Sequence, residues 1–237
     1  EMSAGVDRVG FQREITTTSF SASTRRQIGR VTTDERMGGP ATSLVAGAAF
    51  VHDTAVFGPT GPWMGSRYRI GASLTAGSLD VLTVSGDYRR YFAPTSGVTI
   101  ATRVQYLNRL GSSRSDSRLL PLVWSVRDAV RGSPHDSTSI RAATTSIANV
   151  EVRVPVRRAF GVSAGRVDLP VDLFTFTDLA HFGAPAAGGL SASERNLWST
   201  GFGARINAAG FVFELNAVRP LIPVRSWRFV MNFRPGF

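Results

Sequence analysis

The residues that most constrain this chain are its last twelve, Ser226 to Phe237. Trp227, Phe229, Met231 and Phe233 alternate with Ser226, Arg228, Val230 and Asn232, and the sequence closes on Phe237. A strand sends successive side chains to opposite faces. Here one face collects the largest apolar groups up to the final aromatic. A lipid-facing strand needs that pattern, because hydrocarbon touches one face and a wet lumen the other. The competing reading is the edge strand of a soluble sandwich.

Composition narrows the choice. Charged residues are 19% of the chain, mean hydropathy is zero, and there are 24 glycines among 237 residues. No apolar run reaches the ~18 residues of a membrane-spanning helix. A barrel accommodates both facts, because lumen residues dilute the apolar ones along every strand. Cysteine is absent, so disulfides and thiolate metal sites are excluded. The net charge of +10 raises the question of nucleic acid, but the arginines are scattered at strand spacing rather than clustered. They suit a lumen wall or anionic headgroups, and no nucleic-acid partner is expected. No signal peptide is visible at Glu1-Met2-Ser3, so an exported chain has lost one or continues a longer protein.

Period-2 alternation with Gly, Pro, Asp and Ser punctuation predicts about eleven strands and no helix. They cover residues 9–20, 42–56, 67–74, 82–92, 98–106, 118–125, 148–156, 170–182, 197–206, 211–217 and 224–234. Several are long enough for a tilted bilayer crossing. Arg69, Asp87, Arg103, Glu151, Arg153, Arg205, Glu214 and Arg228 fall in the polar series of their strands. Each would cost ~2–4 kcal/mol in hydrocarbon, so they are expected to face inward and to pair across neighbouring strands. Trp63, Tyr68, Tyr88, Tyr91, Phe92, Trp198 and Trp227 suit interface girdles or lipid-facing packing.

Connections alternate in length. Counting back from a periplasmic C-terminus makes 207–210 periplasmic, 183–195 external, 127–145 external and 77–80 periplasmic. The same count places the long segments 27–40 and 157–168 inside. Single-chain bacterial barrels have even strand numbers, and eleven is odd. Either the count is off by one, most readily around residues 24–31, or upstream strands or a second subunit complete the barrel. Closure of some kind is required, since an open edge in lipid leaves backbone groups unpaired.

The order of several short motifs resembles a known family. Val130-Arg131-Gly132 lies in a long external segment, and Ala148-Asn149-Val150-Glu151-Val152-Arg153-Val154-Pro155 follows it. Asp87-Tyr88-Arg89-Arg90-Tyr91-Phe92, Phe174-Thr175-Phe176-Thr177-Asp178, Gly201-Phe202-Gly203-Ala204-Arg205 and the terminal Pro235-Gly236-Phe237 complete the set. Between about residues 67 and 237 this is similar to the C-terminal barrel of the BamA-like outer-membrane assembly and transport superfamily, the bacterial surface antigen family. The resemblance implies an all-β, antiparallel transmembrane β-barrel, with residues 1–237 forming the last part of a sixteen-stranded barrel. The first strands and any periplasmic domain would lie outside this stretch.

The resemblance also implies a role for Arg131, which would reach into the lumen and pin its loop against acidic or aromatic groups. Asp178 is the expected partner, because a buried arginine needs one. Ser133 stands where the family has an aromatic, which leaves the depth of the plug open. An ordinary Arg-Gly in a solvated loop is the alternative. Trp227, Phe229, Met231, Phe233 and Phe237 resemble the C-terminal sorting signal of outer-membrane barrels. By resemblance they also border a seam between first and last strands, loosened by Pro235 and Gly236.

No catalytic function is expected. His52, His135 and His181 are dispersed, and His135-Asp136 beside Ser133 and Ser137 lacks the orientation of a triad. No metal site or cofactor is expected either. The implied function is insertion or translocation of polypeptide at the bacterial outer membrane, with lipids and client polypeptides or a completing subunit as partners. A structural barrel that anchors a partner, or a passive anion pore, are the alternatives.

Overall fold

Alternating sequences with few helix signals should pair into antiparallel sheet, and the described strands do. The computed structural model describes residues 2–9, 12–20, 27–36, 41–95, 97–114, 116, 122–125, 130–132, 139–156, 170–183, 196–208 and 210–235. Its strands are β1 (Met2–Val9), β2 (Gln12–Phe20), β3 (Gln27–Arg36), β4 (Ala41–Asp53), β5 (Val56–Gly58), β6 (Gly61–Gly77), β7 (Val81–Thr95) and β8 (Val98–Leu110). They continue as β9 (Leu122–Ser125), β10 (Ser139–Ala142), β11 (Thr144–Pro155), β12 (Val171–Phe182), β13 (Asn196–Ala208), β14 (Phe211–Ile222) and β15 (Arg228–Pro235).

One sheet of eleven strands dominates, in the order β1-β4-β6-β7-β8-β11-β12-β13-β14-β15, with β5 hydrogen-bonded to β6. Every neighbouring pair is antiparallel. The fold class is therefore all-β and antiparallel. Among the described residues the sheet ends at β1 on one side and β15 on the other. The strands from β4 to β14 on this path have 12 to 17 residues. A tilted bilayer crossing needs ~9–11.

Residues 122–125 of the strand expected at 118–125 are not part of this sheet, and 118–121 lie outside the described residues. They form β9, which among the described residues pairs with β10 alone, and β8 hydrogen-bonds directly to β11. A short apolar run looks the same in a wall strand and in a loop hairpin, and only the partner distinguishes them. Two further expectations change. The predicted strand at 9–20 is divided: β1 joins the main sheet, whereas β2 pairs with β3 in a separate two-stranded sheet. The segment 27–40, expected as a connection, thus contains a strand.

Direct pairing of β8 with β11 reverses the count for everything before it. The turn 78–80 lies at the same end of the sheet as the connection from β8 to β11, not at the opposite end. The connection from β1 to β4 leaves at that end too. The turns after β7 and β13 lie at the other end, where β15 finishes. The last strand is also shorter than expected. It begins at Arg228, because residues 223–227 turn and Arg225 N–H donates to the Pro220 carbonyl.

Alternation divides the sheet into two chemically distinct faces. Leu74, Val104, Phe202, Leu215, Phe229 and Met231 stand exposed on one face, Phe229 at 90%. Asp178, Glu151, Glu214, Asn216 and Ser199 are buried on the other, here called the inner face. The arrangement is the reverse of a soluble sheet, which buries its apolar face and wets its polar one.

Candidate functional site

β11 presents Asn149, Glu151 and Arg153 on its inner face, and β12 presents Phe174, Phe176, Asp178 and Phe182. β13 contributes Arg205 and β14 contributes Glu214 and Asn216, with Arg205 directly opposite Glu214. Register places these residues side by side, because cross-strand partners share a face.

Arg131 enters this wall from the connection between β8 and β11. Its Nε–H donates to Asp178 Oδ2 at 2.8 Å and its Nη2–H to Asp178 Oδ1 at 2.9 Å, a bidentate fork. Its backbone N–H adds a bond to Asp178 Oδ2 at 3.1 Å, and its Nη1–H reaches Glu151 Oε2 at 2.7 Å. The guanidinium lies over the Phe176 ring, with Cζ 3.6 Å from the ring centroid. Asn149 Nδ2–H donates to Asp178 Oδ1 at 2.9 Å, which fills the remaining acceptor capacity of that carboxylate.

Arg205 extends the network. It donates to both oxygens of Glu151, at 2.6 and 3.0 Å, and to Glu214 Oε2 at 2.7 Å. It also stacks on Phe174, 4.6 Å from the centroid. Arg153 donates to Glu151 Oε1 from Nε. Arg131, Arg153 and Arg205 thus balance Glu151, Asp178 and Glu214. Buried charges persist only when paired and hydrogen-bonded, and each of these is both.

The neighbouring residues make the seat possible. Gly132 adopts φ +67, and a Cβ there would lie 2.6 Å from Val218 Cγ1. The turn can therefore press against β14 only as glycine. Val130 packs with Ile147, Ala180, Phe182 and Leu197 in an apolar cluster beside the ion network. Gly201 and Gly203 leave room on β13 for the aromatic platform. A Cβ at Gly201 would sit 2.9 Å from Phe176 Cζ, and one at Gly203 would sit 2.7 Å from Phe174 Cζ.

Arg131 and Asp178 are brought together, and Val130 and Gly132 are buried beside them. Trp227 and Phe202 meet on the outer face with centroids 5.8 Å apart and ring planes tilted by 57°, and Phe229 and Met231 stand exposed there. Phe233 pairs opposite Phe213 along the backbone, and its side chain lies outside the described residues, as do Gly236 and Phe237. Pro235 closes β15 opposite Phe211. Ser133 and His135 also lie outside the described residues. Tyr91, grouped in sequence with the girdle aromatics, is instead buried on the inner face, in register with Ala101.

Sequence reasoning did not connect Glu151, Arg205 and Glu214 to Arg131, nor turn Phe174 and Phe176 inward. The Phe174-x-Phe176-x-Asp178 spacing carried the signal, because period 2 puts all three on one face. The expectation of apolar-out hid it.

No family model matches the chain, and no curated protein matches it. Among solved structures it is similar to BamA from Haemophilus ducreyi lacking POTRA domains 1–3, with 13% identity and a TM-score of 0.48. The likeness covers 91% of this chain and 45% of that one. The chain thus spans less than half the length of that structure.

Proposed function

We propose that this chain forms part of a β-barrel of the BamA-like type in a bacterial outer membrane and acts in the insertion or translocation of polypeptides. The observation that carries the reading is the seat of Arg131. A loop residue enters the inner face and is held by carboxylates from two strands and by an aromatic platform, in the order of motifs that the family resemblance implies. The exposed apolar face supports immersion in lipid. Residues such as Phe202, Leu215 and Phe229 would otherwise leave a large apolar surface in water.

In this reading β15 is the working edge. Its pairing with β14 is complete from Arg228 to Pro235, and among the described residues its other edge carries no strand. A client strand could add to such an edge by backbone hydrogen bonding. Photo-crosslinkers at Trp227 and Met231 in the full-length protein should capture newly exported barrel polypeptides, whereas one at Leu74 should not. Equal capture at all three positions, or none, would defeat the insertase reading. A second reading, a non-catalytic barrel that anchors a partner, is favoured by the paired charges of the inner face, which Arg131 of the loop joins. Single-channel recording separates both from an anion pore, which alone requires steady conductance.

A further inference from the structure

A second segment enters the interior from the opposite end. β5 and β6 form a short hairpin whose tip is Pro59-Thr60, and Thr60 and Gly61 are buried. Its direction follows from a bend at Gly65, which adopts φ +97. A Cβ there would lie 2.1 Å from the Thr54 carbonyl oxygen, so a side chain would forbid the bend. Thr54 fixes it further: its N–H donates to the Ser66 carbonyl at 2.8 Å, and its hydroxyl accepts from Ser66 N–H at 3.2 Å.

The inturned tip crosses to strands far along the sheet. The Thr60 hydroxyl donates to Asp172 on β12, and Asn207 Nδ2–H on β13 donates to the Pro59 carbonyl. Arg153 Nη1–H on β11 donates to the Pro62 carbonyl at 2.8 Å. Strands β7 and β8 lie between β6 and β11 in the sheet, so these bonds span the interior rather than follow the wall.

Arg153 also binds Glu151, and Glu151 binds both Arg131 and Arg205. A continuous chain of charge-assisted contacts therefore runs from the inturned hairpin to the loop that entered from the other end. We infer that the hairpin tip and the Arg131 loop form one two-part plug, coupled through Arg153 and Glu151, so that release of either part weakens the seat of the other. The physical basis is the sharing of Glu151, whose two oxygens hold Arg153, Arg131 and Arg205 together. When the tip leaves, Arg153 loses the carbonyl that fixes its guanidinium. Glu151 then exchanges a held cation for a mobile one, and the geometry that seats Arg131 relaxes. Coupling of this kind is reciprocal by thermodynamic necessity.

The absence of cysteine in this stretch makes the test direct. Val130 is 2% exposed, so Val130→Cys reports on loop release through its rate of maleimide labelling. Labelling is measured in the full-length protein in outer-membrane preparations, against protein lacking the introduced thiol. Thr60→Val with Asn207→Ala loosens the tip without touching Arg131, and Gly65→Ala removes the bend. Each should raise Val130→Cys labelling at least about fivefold, as should Arg153→Met. In reverse, Arg131→Gln should accelerate labelling at Thr60→Cys by a similar factor. Should Gly65→Ala prevent assembly, seen as lost heat-modifiable migration, Asn207→Ala alone serves as the mild variant. A response to Arg153→Met but to none of the tip variants would overturn the coupling, because the ion network would then hold the loop unaided. No response to any variant would overturn it as well.

Discussion

The inner faces of β11–β14 and of β4–β8 draw on the same side chains and hold them differently. On the first, Arg131, Arg153 and Arg205 meet three carboxylates in a region closed by a loop, and the Arg131–Asp178 pair is 15% and 1% exposed. On the second, Asp87 is shared by Arg89 and Arg103, both through Nη2 contacts of 2.8 Å, while Arg67 and Asp53 pair with side chains 45% and 37% exposed. Contact distances barely distinguish the two halves. Solvent does. Exposed pairs contribute ~0–1 kcal/mol, whereas removing one member of a buried pair costs ~3–5 kcal/mol, because the remaining charge is left uncompensated. Distance alone is therefore a poor guide to which ion pair matters.

This contrast can be broken at its strongest point first. Glu151→Gln leaves three guanidiniums facing a neutral amide and should lower barrel stability by ~3–5 kcal/mol, read from urea unfolding in lipid vesicles. A loss below ~1 kcal/mol would place the network on a par with the exposed half. Gly132→Ala should cost ~1–3 kcal/mol, since it combines a left-handed backbone with a clash against Val218. The same measurement checks it, and a neutral result would mean that the turn can back away from β14. Arg131→Lys keeps the charge but loses the planar fork and the stacking on Phe176, for ~1–2 kcal/mol. Full retention of stability would reduce the seat to a simple charge contact. Asp87→Asn should cost ~0–1 kcal/mol, and any loss should shrink at 1 M salt, where screening acts over ~3 Å. An unchanged loss at high salt would mean that this half is as sheltered as the other.

Much of this architecture was legible in the sequence. Exposed Phe202, Phe229 and Met231 and inward Glu151, Arg205 and Glu214 all follow the alternation of their strands, because one period governs both chemistry and geometry. The illegible parts share a cause: each depends on a partner distant in sequence. Residues 122–125 read as wall until their pairing with 139–142 shows a hairpin. Phe174 and Phe176 point inward because arginines from elsewhere cover them, which inverts the expected polarity. The inturned tip at Pro59-Thr60 has no local signature beyond its flanking prolines and glycines, and its partners lie more than a hundred residues away.

The seat of Arg131 also bears on how the sheet is assembled. Its carboxylate partners come from β11 and β12, and Arg205 and Glu214 on β13 and β14 complete the charge balance. A slip of one residue in any of these strands would turn its contribution to the opposite face. The loop can then find its full set of partners only on four correctly aligned strands. The complete seat of Arg131 is thus open only to a wall in register, and each of its bonds favours that alignment over a shifted one.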